Sequence, residues 1–190
     1  MQKIDLFPTP IGIFDVENYQ EINEEILSLK NKEQYQFSSD FDIWSFSNEN
    51  EGLKKLQMKF LEASAELANE IVDENYKWID FKNLRGWINL QLPGKVGRVH
   101  EHGSVSFAGT YYIDVNEDSG TLNLADPRIG ISSWLQLPKK FNSLKDNTYK
   151  FKPEIGKLIL IPGWLLHNID LNNSDKVRIS VSTNIITKYK

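Results

Sequence analysis

The segment VHEHGSVSF carries two histidines separated by one residue. In a strand, where side chains alternate with period two, His100 and His102 point to one face and Glu101 to the other, so two imidazoles converge. The third and last histidine of the chain, His167, closes the apolar run GKLILIPGWLLH. Two imidazoles from one segment and a third from a distant one form a donor set for a divalent transition metal. With no cysteine in the chain, disulfides, thiolate nucleophiles and Cys-ligated zinc or iron-sulfur sites are excluded, and a metal must rely on His, Asp or Glu.

In HNIDLNNSDKVRISVSTNI, Arg178 stands eleven residues after His167 and Ser180 follows two positions later. A turn centred between Asn172 and Asn173 predicts a hairpin in which His167 and Arg178 are opposite each other. Alternation in the last strand puts Arg178, Ser180, Ser182 and Asn184 on one face and Val177, Ile179, Val181 and Ile185 on the other. A planar guanidinium beside a metal-binding His is suited to holding a carboxylate by two parallel hydrogen bonds, with the serine hydroxyl adding a third. That is a cradle for the far end of a dicarboxylate. By the same parity Trp87, Asn89 and Gln91 share one face of RGWINLQL, opposite Ile88, Leu90 and Leu92. Tyr112 shares the face of His100 and His102, through Ser104, Ser106 and Thr110, if no bulge intervenes. Asn89 and Tyr112 are therefore candidate contacts to the same small molecule.

The elements that must position these residues fall in two blocks. After an extended opening with two prolines, Asn18 to Lys32 carries Ile22, Ile26 and Leu29 at helical spacing, and about Glu51 to Glu74 carries Leu53, Leu56, Phe60, Leu67 and Ile71. Two helices packed outside a sheet are expected. From Lys77 the segments turn short, β-branched and aromatic. Strands are expected near Arg85 to Leu92, Val99 to Val115, Gly120 to Ala125, Tyr149 to Lys152, Lys157 to Ile161, Trp164 to Leu171 and Val177 to Ile186. Together they suffice for a two-sheet barrel or sandwich. The stretch Pro127 to Asn147, with Trp134 and the pair Lys139-Lys140, has little periodicity and reads as a long loop of the kind that forms lids.

At 190 residues, 40% hydrophobic and 25% charged, with mildly negative mean hydropathy, the chain has the composition of an ordinary globular protein. A single domain over 1–190 is expected, with an N-terminal part, 1–80, of extended chain and helices, and a β-rich core, 81–190. The formal net charge of -4 disfavours nucleic acid as a partner, since no excess of basic residues drives phosphate binding. No apolar stretch has the length of a membrane span and the N-terminus lacks a cleavable leader pattern. A cytoplasmic protein without a membrane partner is the expectation, and a homodimer is compatible with it.

Taken in order, HEHGSVSFAGTYYI, SGTLNLADPR, GKLILIPGWLLHNI and VRISVSTNI resemble the signature of the 2-oxoglutarate/Fe(II)-dependent oxygenases, in particular a group found in bacteria and phages. The resemblance spans roughly Trp87 to Ile186. It implies a mainly β fold with flanking helices, a double-stranded β-helix or jelly roll related to the cupins, with the metal between the two sheets at the open end. It also implies Fe(II) and the cosubstrate 2-oxoglutarate, and oxidative decarboxylation to succinate and CO2 coupled to hydroxylation of a substrate. On this resemblance His100 and His167 match the family's two metal histidines, and Arg178 with Ser180 matches its distal carboxylate-binding Arg-x-Ser.

The middle position departs from the pattern, because most such oxygenases have Asp or Glu where this chain has His102. Glu101 would serve instead only if a bulge turned it inward. Asp126 and Arg128 of the DPR segment, and Trp164 beside the ligand strand, are candidate substrate-side residues, with a turn, a surface charge and core packing as their ordinary roles. The substrate is open among a peptide residue, a nucleobase and a small metabolite. Three rival readings remain: a zinc enzyme with an activated water, a cupin-type three-histidine dioxygenase without cosubstrate, and a non-catalytic jelly-roll binding or structural module.

Overall fold

The computed structural model describes residues 8–31, 41–71, 83–128 and 148–187. In chain order these form β1 (Gly12–Asp15), α1 (Tyr19–Leu27), two short 3-10 turns (Ser28–Asn31 and Ile43–Phe46), α2 (Glu51–Ile71), β2 (Asn83–Gln91), β3 (Phe107–Asp114), β4 (Leu122–Ala125), β5 (Thr148–Phe151), β6 (Lys157–Pro162), β7 (His167–Ile169) and β8 (Arg178–Ile186). Two sheets result, a larger one in the order β1-β6-β3-β8-β2 and a smaller one in the order β5-β4-β7. Every pairing is antiparallel.

Alternation along the strands gives the large sheet two buried faces. On one, Tyr111, Leu158, Leu160, Ile179, Val181 and Ile185 pack against Ile22, Ile26, Leu53, Leu56 and Phe60 of the helices. On the other, Ala108, Tyr112, Ile159 and Ile161 meet Leu122, Leu124 and Phe151 of the small sheet. The expected arrangement, mainly β with helices outside, is the one observed. Strand β1 lies within the stretch expected only to be extended; its signal is weak because a four-residue edge strand carries little pattern.

Helix α2 begins where Asn50 accepts a hydrogen bond from Leu53 N at 2.8 Å, an N-cap that satisfies one of the free donors of the first turn. Its apolar stripe then seats Phe60, fully buried, edge-on to Trp44 with centroids 6.0 Å apart. A side chain at Gly109 of β3 would run into the Phe60 ring, with Cβ only 2.7 Å from Cε1. Trp44 is anchored in turn by Nε1 donating to Thr183 Oγ1 at 3.1 Å. Thus the helical layer is bonded, and not only packed, to β8, the strand that carries Arg178.

Three expectations are corrected. The strand predicted from Val99 begins only at Phe107, because 95–102 leaves the large sheet and runs beside β7. There Asn172 N donates to Lys95 O at 2.9 Å, Gly97 N to Ile169 O at 3.0 Å, and His100 and His167 exchange backbone bonds of 3.0 and 2.9 Å. The strand predicted over Trp164 to Leu171 is confined to His167–Ile169. Finally, β7 and β8 are not a hairpin: they belong to different sheets, and Arg178 is paired with Gln91 instead of His167. The turn signal at Asn172-Asn173 is real but serves a crossover. Asn172, fully buried, gives its Nδ2 to Gln91 O at 2.9 Å and to Lys176 O at 2.8 Å, and so pins the connection between the sheets. Most of the predicted long loop, 129–147, lies outside the described residues, as do 72–74 of the second predicted helix.

Because Phe60 joins the helical layer to the strands that carry the site, Phe60→Ala is expected to lower the unfolding free energy by about 3–5 kcal/mol. Met58→Ala, at an exposed position of the same helix, is expected to change it by less than about 0.5 kcal/mol; urea denaturation checks both.

Candidate metal centre

The reciprocal backbone bonds between His100 and His167 form an isolated antiparallel bridge, which places both side chains on the same side. The ring centroids are 4.4 Å apart. His102 joins from a turn, with its N–H donating to Gly163 O at 2.8 Å and its ring centroid 5.1 Å from that of His167, the two planes within 5°. One ligand atom from each of the three histidines lies within 4.8 Å of the others. Glu101 is exposed and outside this cluster, so the sequence alternative at the middle position finds no support.

Each ring has one nitrogen committed to an oxygen acceptor: His100 Nδ1 to Arg98 O at 2.8 Å, His102 Nδ1 to Asn184 Oδ1 at 2.6 Å and His167 Nδ1 to Leu165 O at 2.7 Å. An oxygen acceptor requires a proton on Nδ1, so in a neutral ring Nε2 is left as a lone pair. Burial lowers the His102 pKa and pushes that of His167 down to about 4, which keeps both rings neutral at pH 7. Between His102 Nε2 and His167 Nε2 the distance is 3.3 Å, and with both lone pairs turned inward no proton is there to share. Two nitrogens on one first-row ion, at about 2.0–2.1 Å each, stand about 2.9–3.4 Å apart for octahedral to tetrahedral angles. The His102 and His167 nitrogens are therefore spaced for one divalent metal, with the His100 ring beside them as a third donor.

The cluster lies on the wall of a cavity of about 470 Å³ between the sheets, lined also by Trp87, Asn89, Thr110, Leu122, Ile159 and Ile161. Asn89 is held there by Trp87 Nε1, which donates to its Oδ1 at 3.0 Å, while its Nδ2 donates to Ser182 Oγ at 2.8 Å. In the register of the large sheet, Ser180 is the neighbour of Asn89 on one side and of Tyr112 on the other. Three residues read from parity as contacts to one small molecule thus form a transverse row. The irregular ladder position falls between Tyr112 and Asp114, beyond Tyr112, so it does not turn that ring away.

Next to this row Arg178 is 1% exposed. Its Nη1 donates to Gly120 O at 3.1 Å and to Ser119 O at 3.4 Å, and its Cζ lies 5.1 Å from the centroid of the Tyr112 ring. Among the described residues the guanidinium Nε and Nη2, the Tyr112 hydroxyl and Gln91 Oε1 are buried and find no hydrogen-bond partner. Burial raises the Tyr112 pKa to about 12, so the phenol stays protonated and is a donor; burial also lowers that of Arg178, which remains a cation. Nε and Nη2 are the side-on pair of the guanidinium fork, the geometry that grips a carboxylate.

The three substrate-side candidates stand elsewhere. Arg128 and Asp126 hold each other, Nη2 to Oδ2 at 2.6 Å and Nε to Oδ1 at 2.9 Å, an ion pair that holds the Asp126 carboxyl below its ordinary value. Trp164 is half exposed in the turn between β6 and β7, and none of the three lines the cavity. Lys95, Val96 and Gly97 do line it and were not foreseen, because nothing in GKVGRV departs from an ordinary loop. As a check on the ligand set, His102→Ala is expected to weaken Co(II) binding by more than about 100-fold, beyond the effect of an outer partner. Glu101→Gln is expected to leave it within about twofold, both read from the visible absorption of bound Co(II).

Residues 85–184 match the family model described as "Putative 2OG-Fe(II) oxygenase", a span that contains the three histidines, Arg178 and Ser180. Among curated proteins none matches the chain in sequence. Among solved structures, a prolyl-4-hydroxylase from Pseudomonas putida superposes with a TM-score of 0.60 at 10% identity, over 94% of this chain and 88% of that one. The non-heme alpha ketoglutarate dependent carbocyclase SnoK from nogalamycin biosynthesis gives 0.59 at 12%, over 94% and 82%. These likenesses show the jelly-roll fold; the family match covers more than half of the chain and contains the three-histidine cluster. The chain belongs to the 2-oxoglutarate- and Fe(II)-dependent oxygenases, enzymes whose cofactors are Fe(II) and 2-oxoglutarate.

Proposed function

We propose that this protein is a dioxygenase that depends on Fe(II) and 2-oxoglutarate and hydroxylates a substrate with release of succinate and CO2. In this reading His100, His102 and His167 hold the iron through Nε2, and Arg178, Tyr112, Ser180 and Asn89 hold the cosubstrate. The observation that carries it is the buried guanidinium of Arg178, whose Nε and Nη2 find no partner among the described residues, next to a Tyr112 hydroxyl that finds none among them either. Leaving such donors buried and unmet costs about 1–3 kcal/mol each, so the site is built for an anion that supplies acceptors. A rival zinc site or a cosubstrate-free dioxygenase gives these donors no task.

When bound, the iron and 2-oxoglutarate supply the oxidising power, taken from dioxygen as the keto acid loses CO2. What the chain contributes is placement. Arg178 fixes the distal carboxylate by two parallel hydrogen bonds and Tyr112 donates a third, which sets the depth to which the molecule enters. Leu122, Ile159 and Ile161 line the cavity with hydrocarbon and keep water from the reacting end. Asn89, tied to Trp87 and to Ser182, is held in a fixed orientation beside the cosubstrate. The substrate class is open among a peptide residue, a nucleobase and a small metabolite.

In anaerobic protein loaded with Fe(II), 2-oxoglutarate is expected to produce a weak visible charge-transfer band, and Arg178→Ala is expected to abolish it at the same concentration. Iron bound with no band would favour the cosubstrate-free three-histidine reading; no iron bound would favour zinc or a non-catalytic module. Arg178→Lys removes one of the two parallel bonds and is expected to weaken 2-oxoglutarate by about 10–100-fold. Tyr112→Phe is expected to weaken it by about 10-fold, with iron affinity unchanged in both, as titration of the band would show.

A further inference from the structure

We propose that Asn184 is the positioning residue that allows a histidine to act as the middle metal ligand, an inference that rests on the metal reading above. The three rings are not oriented in the same way. His100 and His167 each direct Nδ1 to a backbone carbonyl two residues earlier, at Arg98 and Leu165. Those bonds are local, come with the backbone conformation and need no other side chain. His102 has no such carbonyl. It lies outside regular structure, next to Gly103 with φ +61°, and its Nδ1 reaches across 82 residues of sequence to the Asn184 amide oxygen at 2.6 Å.

Packing alone does not choose the ligand atom. The His102 ring lies nearly parallel to those of Trp87, at 6.2 Å and 20°, and His167, at 5.1 Å and 5°. Stacking fixes the plane of an imidazole but is nearly indifferent to a half-turn within that plane, which exchanges nitrogen for carbon at both edges. The hydrogen bond to Asn184 is not indifferent: it requires Nδ1–H at one edge and so places the Nε2 lone pair at the other, 3.3 Å from His167 Nε2. Asn184 is itself fixed on β8, with Ala108 and Arg85 as its cross-strand neighbours, on the face that carries Arg178 and Ser180. One strand therefore sets both the cosubstrate cradle and the protonation pattern of a metal ligand.

The test uses Co(II) as the probe, titrated into the full chain and followed by the visible absorption of the bound ion. Asn184→Leu removes the acceptor and is expected to weaken Co(II) by about 10–100-fold. Asn184→Asp keeps an oxygen in the same place and is expected to bind at least as tightly as the natural protein. Asn184→Ala, which only deletes atoms, is expected to follow Asn184→Leu and replaces it if the leucine disturbs folding. In the metal-free protein, nitrogen NMR of the histidine rings is expected to report the Nδ1–H tautomer for all three, with only His102 becoming mixed in Asn184→Ala. A leucine or alanine variant that binds Co(II) like the natural protein overturns the proposal, as does an Asn184→Asp variant as weak as Asn184→Leu. Failure of the natural protein itself to bind Co(II) overturns the metal reading and this inference with it.

Discussion

Two backbone hydrogen bonds, exchanged between His100 and His167, are the constraint on which the site depends. They hold an otherwise irregular segment against the first residue of β7 and bring two imidazoles to one side without help from a continuous strand. The segment 95–102 has a further hold at each side of this bridge, through Lys95 and Gly97 above and His102 below. It gives up membership of the large sheet, where its sequence would have continued β3, and becomes the rim of the cavity. His100 and His167 are thus attached to the small sheet, while Arg178, Ser180, Tyr112 and Asn89 belong to the large one.

That division gives the buried charge of Arg178 its meaning. A guanidinium at 1% exposure is costly to bury unless it is paired and hydrogen-bonded. The structure satisfies it only in part, with two carbonyls from the Ser119-Gly120 turn on Nη1. The same turn is kept in place by Gly120, at φ +85°, where a Cβ would meet the carbonyl oxygen of Asp170; a glycine is the residue that accepts both conditions. The other nitrogens of the fork find no partner among the described residues, and the two sheets around the guanidinium are joined by the crossover through Asn172. The small sheet, the crossover and the guanidinium form a single mechanical unit.

Period-two alternation made much of this legible. It put Arg178, Ser180, Ser182 and Asn184 on a common face, and Trp87, Asn89 and Gln91 on another, and both faces are found turned toward the small sheet. Helical spacing likewise gave α2 its buried stripe from Leu53 to Leu67. Parity failed where the chain changes sheets, since alternation says which side a residue takes within a strand but not which strand it joins. A hairpin and a crossover of eight residues have the same pattern from Asp170 to Val177, and only the bonds of Asn172, which are long-range, decide between them. His100 and His102 converge as the alternation implied, yet through a bridge and a turn instead of a strand. Asp126 and Arg128, read as substrate-side candidates, bond each other instead and do not line the cavity.

The separations in sequence between the partners have a consequence for how the molecule comes into being. His102 meets His167 across 65 residues and Asn184 across 82, and Arg178 meets Gly120 across 58. Contacts of such span form late, because the loops they close must first lose their freedom. No early folding intermediate with only helices and local turns contains the triad, and if Asn184 orients His102 as proposed, a nascent chain would not capture iron in its final geometry until β8 has docked. Metal capture thereby becomes a report that assembly is complete.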